Sequence, residues 1–220
     1  MAKKLRIGVL ASGGGTNLQS IIDGCTNGDI DGQIVVVISN NPEAGALNRA
    51  TNAGLTTECI NHRNFSQRQL FDNAVVQKLL DNRVELVVLA GFMRIIGQQF
   101  LDAFPGRIIN IHPALLPAFP GLHVQQKAID YGARFSGCTV HFVDGGVDTG
   151  PIIIQAVVPI LDTDNDDTLS ARILDQEHKI YPQAIQWFAQ GKLKVDGRKV
   201  SIIGHTQKPD AVLINPPLNS

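Results

Sequence analysis

Cysteine is scarce in this 220-residue chain, with three in all, at Cys25, Cys59 and Cys138. Three scattered thiols make neither a disulfide framework nor a cysteine-based metal site. Aromatic residues are only 5%, so any core is mainly aliphatic. Neither sign of charge prevails: 19 Lys and Arg stand against 20 Asp and Glu, for a net charge of -1. That balance excludes a protein held on nucleic acid by bulk positive charge. No stretch approaches the roughly 20 apolar residues of a membrane helix. The apolar run Ile7 to Ala11, behind Lys3 and Lys4, is too short for a signal peptide and enters a glycine loop. A soluble cytoplasmic protein is expected.

What is present is core material. Hydrophobic residues make up 44% of the chain against 18% charged, which excludes a disordered chain. No repeat and no internal linker divides it, so residues 1–206 are expected to form one domain. The segment 207–220, with three prolines and two asparagines, has no periodicity and is expected to be a loose tail.

Short β-rich runs alternate with helix-length amphipathic segments, the pattern of an α/β protein with a mostly parallel twisted sheet flanked by helices. Strands are expected at 5–10, 33–38, 56–60, 85–90, 107–111, 136–143 and 152–158. Leu18, Ile21, Ile22 and Cys25 recur at helical spacing. Ala46 to Ala53, Gln98 to Phe104 and Val124 to Tyr131 read as short helices. A further helix is expected to be capped by Ser66, with Gln69 reaching back and Phe65 packing on Leu70. A long helical segment from Thr168 to Gln190 is expected to break or kink at Pro182. A C-terminal hairpin is expected around Asp196-Gly197.

Three clusters carry candidate chemistry. Ser12-Gly13-Gly14-Gly15-Thr16-Asn17 lies between a strand and a helix, where backbone amides can receive an anion. Leu18 stands where a dinucleotide loop has its third glycine, and no Lys-Ser/Thr follows, so a small phosphorylated substrate fits better than NAD or ATP. A turn needed only for packing is the alternative. Asn110 and His112, two apart on a strand, project to one side at its C-terminal end, where open α/β sheets bind ligands. An amide beside an imidazole suits oxyanion stabilisation and proton movement, although a histidine there can be purely structural. The loop Asp144-Gly145-Gly146-Val147-Asp148-Thr149-Gly150-Pro151 places two acids on a backbone that can approach a ligand closely. It can equally be a solvated turn. No Gly-x-Ser-x-Gly, His-Glu-x-x-His or Cys-x-x-Cys motif is present, and the other histidines lack metal-ligand spacing. Chemistry without metal or covalent nucleophile is expected.

In this order, these residues resemble the phosphoribosylglycinamide formyltransferases of purine biosynthesis, over roughly Arg6 to Lys194. The stretches that carry the resemblance are Ser-Gly-Gly-Gly-Thr-Asn-Leu-Gln, Leu-Ala-Gly-Phe-Met-Arg-Ile, Ile-Asn-Ile-His-Pro-Ala-Leu-Leu-Pro-Ala-Phe-Pro-Gly-Leu-His, Val-Asp-Thr-Gly-Pro and Gln-Glu-His-Lys-Ile-Tyr-Pro. The resemblance implies a Rossmann-like formyltransferase fold and formyl transfer from 10-formyltetrahydrofolate to the glycinamide amine. It implies Asn110, His112 and Asp148 as the catalytic trio, and Gly15, Thr16, Asn17 and Glu177 as ribonucleotide ligands. It places folate at Arg68, at Met93, Arg94, Ile95 and Ile96, at Asn110, and at the closing loop Asp144, Gly145, Gly146, Val147 and Asp148. Ala114, Ile96 and Thr149 depart mildly from the family pattern, Thr149 standing where a second glycine is usual. The implied partners are small molecules, with no metal, NAD, ATP, nucleic acid or membrane, in a monomer or homodimer.

Three rivals remain at this level. A formyltetrahydrofolate deformylase uses the same trio with water as acceptor, but strand one at Leu5 leaves no room for that family's regulatory domain. A formyltransferase for initiator tRNA is expected to carry an added basic C-terminal domain, which the net charge of -1 does not support. A non-enzymatic nucleotide-binding module leaves Asn110, His112 and Asp148 without a task.

Overall fold

The computed structural model describes residues 3–204, together with Leu213 and Asn215. Nine strands and six α-helices follow one another through these residues. The first half runs β1 (Leu5–Ala11), α1 (Thr16–Asn27), β2 (Gly32–Ser39), α2 (Gly45–Asn52), β3 (Thr57–Cys59), α3 (Arg68–Asp81) and β4 (Leu86–Leu89). The second half runs α4 (Gln98–Ala103), β5 (Ile108–His112), α5 (Val124–Tyr131), β6 (Phe135–Phe142), β7 (Ile152–Pro159), α6 (Asp166–Ala189), β8 (Leu193–Asp196) and β9 (Lys199–Ile202).

All strands join one sheet in the order β3-β2-β1-β4-β5-β6-β7-β9-β8. From β3 through β5 every pairing is parallel, as expected. β5, β6 and β7 then pair antiparallel, and the hairpin β8–β9 adds through a parallel bridge to β7. Strand order reverses beside β1, because the chain moves outward to β3 and returns across to β4. Such a reversal opens a crevice at the carboxyl ends of the strands.

The central strands are apolar on both faces because helices cover both. On β1, Ile7 and Val9 join the core under α1 and α6, while Leu10 faces the core under α3 and α4. β4 alternates likewise, with Leu86 and Val88 to one side and Val87 and Leu89 to the other. Helix α1 buries Leu18, Ile21 and Ile22, so its stripe falls where the spacing predicts.

Four local expectations are corrected. Helix α3 starts at Arg68, with Gln67 at its N-cap and no side-chain cap. Ser66 is therefore one residue too early, and the inward position one turn later is Phe71. Phe65 packs edge-on against Phe71 at 5.8 Å, while Leu70 is 49% exposed. Pro182 does not break α6, which runs unbroken from Asp166 to Ala189. Its neighbours Ile180, Tyr181, Ala184 and Ile185 are buried, and that packing outweighs the roughly 3 kcal/mol that an interior proline costs. In the hairpin Asp196 pairs with Lys199, so the turn residues are Gly197 and Arg198. The long helix also begins two residues early, at Asp166, where Asn165 and Thr168 form a capping box. The expected tail 207–220 lies outside the described residues except for Leu213 and Asn215. Asn215 Nδ2 donates to the carbonyls of Arg134 and Ile160.

Candidate active site

At the end of β1 the chain turns through the glycine loop into α1. Gly15 is its N-cap at φ 77°, and no side chain caps the helix. A Cβ on Gly15 would come within 2.7 Å of the Ala46 backbone, so glycine is required there for both conformation and space. Arg49 Nε and Ala46 N hold the Gly14 and Gly13 carbonyls from outside, which leaves the first-turn amides of α1 as the loop's free donors. Ser12 links the loop to the neighbouring segment: its amide donates to Gly91 O, and its hydroxyl accepts from Met93 N at 2.8 Å.

Asn17 faces α6, where its Nδ2 donates to Glu177 Oε2 at 2.7 Å. Glu177 is buried; burial pushes its carboxyl up, and the bond from Asn17 partly opposes this. Asn17 Oδ1 is buried without a partner among the described residues. Thr16 lines a separate polar groove between α1 and α6.

A second cleft, of about 690 Å³, opens at the ends of β4 and β5. Met93 to Ile96 form one wall, and Asp144 and Gly146 to Asp148 form the other. Asn110 and His112 lie between them. Much of its rim is apolar and exposed, at Met93, Ile95, Leu122 and Val147. Arg94 lines the cleft. Arg68 reaches it indirectly, donating from Nη2 to the Ile95 carbonyl at 2.8 Å.

Three of the expected residues converge at the base. His112 Nδ1 is 3.4 Å from Asp148 Oδ2, and its Nε2 is 2.9 Å from the Phe119 carbonyl. Both ring nitrogens thus face oxygen acceptors, which a doubly protonated ring satisfies. Asp148 Oδ2 also accepts from Gly121 N at 2.9 Å, pinning the acidic loop to the segment before α5. Asp148 sits at φ 55°, a left-handed conformation that Asp and Asn tolerate better than most residues. Asp144 Oδ1 accepts from Gly146 N and Thr149 Oγ1, so Thr149 adds a hydrogen bond within the loop. Arg198, from the hairpin, holds the Thr149 carbonyl at 2.9 Å.

Sequence reasoning missed His141. β5 pairs with β6 so that Asn110 stands opposite His141, and Asn110 Nδ2 is 3.2 Å from His141 Nε2. His141 Nδ1 bonds the Phe142 carbonyl at 2.8 Å; a carbonyl only accepts, so Nδ1 carries the proton and Nε2 accepts from the amide. Burial holds this imidazole below the ordinary histidine range, consistent with that neutral form. No signal in the sequence joins residues 110 and 141 without the strand register.

Residues 5–185 match the formyl transferase family. Over 205 residues the chain is 42% identical to phosphoribosylglycinamide formyltransferase of Escherichia coli, covering 93% of this chain and 97% of that protein. The chain belongs to the phosphoribosylglycinamide formyltransferases. A solved glycinamide ribonucleotide transformylase from Symbiobacterium toebii superposes with a TM-score of 0.90 at 51% identity, over 90% of this chain and 94% of that one. The trifunctional purine biosynthetic protein adenosine-3 of Drosophila melanogaster is 47% identical over 191 residues. Those residues are 86% of this chain but 14% of that relative's length. Among the described residues no helix is long and apolar enough to cross a membrane.

Proposed function

We propose that the protein transfers the formyl group of 10-formyltetrahydrofolate to the amine of 5'-phosphoribosylglycinamide. The products are formylglycinamide ribonucleotide and tetrahydrofolate, in de novo purine (IMP) synthesis. The observation that carries this reading is the convergence of Asn110, His112 and Asp148 at the base of a cleft rimmed by apolar side chains. The flat pterin takes the Met93–Ile96 wall and the acidic loop, with Arg68 and Arg94 toward its carboxylates. The ribonucleotide phosphate takes the free amides at Gly15, Thr16 and Asn17. Ribose hydroxyls meet Glu177.

Attack of the neutral amine on the formyl carbon forms a carbon–nitrogen bond and places negative charge on the former carbonyl oxygen. Asn110 donates one amide hydrogen to that oxygen while the other stays on His141. Cationic His112 adds charge stabilisation and delivers a proton to the folate nitrogen as its bond to the formyl carbon breaks. The amine's surplus proton returns to the imidazole, so no proton is gained or lost overall. Asp148 keeps the ring oriented through Nδ1. One acyl–nitrogen bond replaces another, so the step as written calls for no metal, nicotinamide or ATP.

The test is an absorbance assay of tetrahydrofolate release from 10-formyltetrahydrofolate, with and without the ribonucleotide. Release only with the ribonucleotide supports the reading. Release without it makes water the acceptor and the protein a deformylase. No release in either tube overturns formyl transfer between these substrates.

A further inference from the structure

One buried acid outside the trio has no part in the steps above. Asp72, on α3, exposes only 2% of its surface. Its Oδ2 lies 3.4 Å from Arg68 Nε, one turn earlier on the same helix. Burial pushes the carboxyl up, while the charges of Arg68 and Arg94 pull it back down. On its other side the carboxylate packs against Gly97, the N-cap of α4; a Cβ there would run into Oδ2. Arg68 carries the contact onward to the Ile95 carbonyl. Arg94 has its guanidinium carbon 6.0 Å from the ring centre of Phe71, the residue before Asp72. Arg68, tied to the cleft wall through Ile95, therefore pairs with a buried anion whose carboxyl also feels the charge of Arg94.

We propose that Asp72 is a positioning residue for the formyl donor: it fixes Arg68 against Ile95 and holds Arg94 beside it, presenting both cations to the carboxylate-bearing end of the folate. This deepens the folate reading and rests on it. Two guanidinium groups at one edge repel each other, and a carboxylate behind them offsets that repulsion. Arg68 has a side chain 45% exposed, and without Asp72 it would have to be ordered anew each time a ligand bound. A buried acid is a poor means of stability alone, since an apolar side chain of similar size commonly serves as well. Gly97 fits the same purpose, because the space it leaves is the space the carboxylate fills.

The experiment is Asp72→Asn in the full chain, assayed with 10-formyltetrahydrofolate and with 10-formyltetrahydropteroate, which lacks the glutamyl carboxylates. The expected result is a KM for the complete donor raised about tenfold, the scale of one charge-assisted hydrogen bond. KM for the truncated donor and for the ribonucleotide should stay within about twofold of the parental values, with kcat little changed. Gly97→Ala, which crowds the same carboxylate while keeping its charge, should give the same split to a smaller extent. Should Asp72→Asn fail to fold, as judged by its melting curve, Gly97→Ala decides alone. An equal rise in KM for both donors overturns the proposal, as does a loss of kcat with KM unchanged. A parental protein that uses neither donor overturns the folate reading instead.

Discussion

Asn110 and His141 face each other across the β5–β6 pair, the amide donating to Nε2 at 3.2 Å. The bond fixes which way the amide points and leaves its second hydrogen free for the oxygen of the proposed reaction. His141→Ala should therefore lower kcat by up to about 100-fold, the cost of a group misplaced by about 1 Å, with smaller changes in either KM. Because burial depresses the His141 value, its stabilising contribution is complete above the ordinary histidine range and is lost as pH falls through its depressed value. An imidazolium there would also point a donor at a donor. His141→Gln keeps an acceptor that does not titrate, so its kcat should fall less steeply toward acid than the parental one; pH profiles of the two proteins check this.

Asn110→Ala should cost turnover hundreds-fold, since one oxyanion donor contributes about 3 to 4 kcal/mol. Single-turnover rates at saturating substrates measure it directly. A loss confined to KM would remove the amide from the transition state.

Asp148→Asn is the informative change in the acidic loop, because asparagine accepts the left-handed backbone at φ 55° and keeps one oxygen for Gly121 N and His112 Nδ1 while it loses the charge and turns the other oxygen into a donor. Turnover should fall by about 100-fold or more, with a thermal midpoint near the parental one. Unchanged turnover would deprive the 3.4 Å pair with His112 of an electrostatic role.

Glu177 sets binding against stability. Burial raises its carboxyl above the ordinary range, so the folded state keeps its proton longer than the unfolded one. Stability from this group is complete below the ordinary carboxylate value and declines as pH rises through the raised one. Glu177→Gln should melt higher than the parental protein at pH 8, with the difference shrinking toward pH 4. Its KM for the ribonucleotide should rise about tenfold, as a charged acceptor becomes neutral. Melting curves at both pH values and initial rates test the two halves separately.

Much of this was legible in the residues themselves. The α1 stripe, the strands β1 and β4, and α5 over Val124–Tyr131 follow from periodicity and flanking glycines. Asn110 and His112 could be paired because a strand repeats every two residues. What escaped depends on how elements meet. Periodicity marks β6 and β7 as strands but carries no direction, so their antiparallel pairing was hidden. With it went the register that places His141 on Asn110. The start of α3 was misread because Ser66 offers a capping side chain that tertiary packing leaves unused. At Pro182 the local cost is plain in the sequence, and the burial that keeps α6 from breaking there is not.

Helix α6 touches both halves of the site. Glu177 reaches Asn17 across 160 positions of chain, and one turn later the buried Tyr181 hydroxyl lies 2.9 Å from the Leu89 carbonyl and 3.1 Å from that of Ile109. A chain folding from its amino end can build β1 to β5 early, yet Asn17 and the ends of β4 and β5 stay unfastened until this helix docks. Such long loop closures are the slow kind. Binding competence should thus arrive in one late step on the folding pathway, together with α6, and not grow in proportion to the amount of sheet already formed.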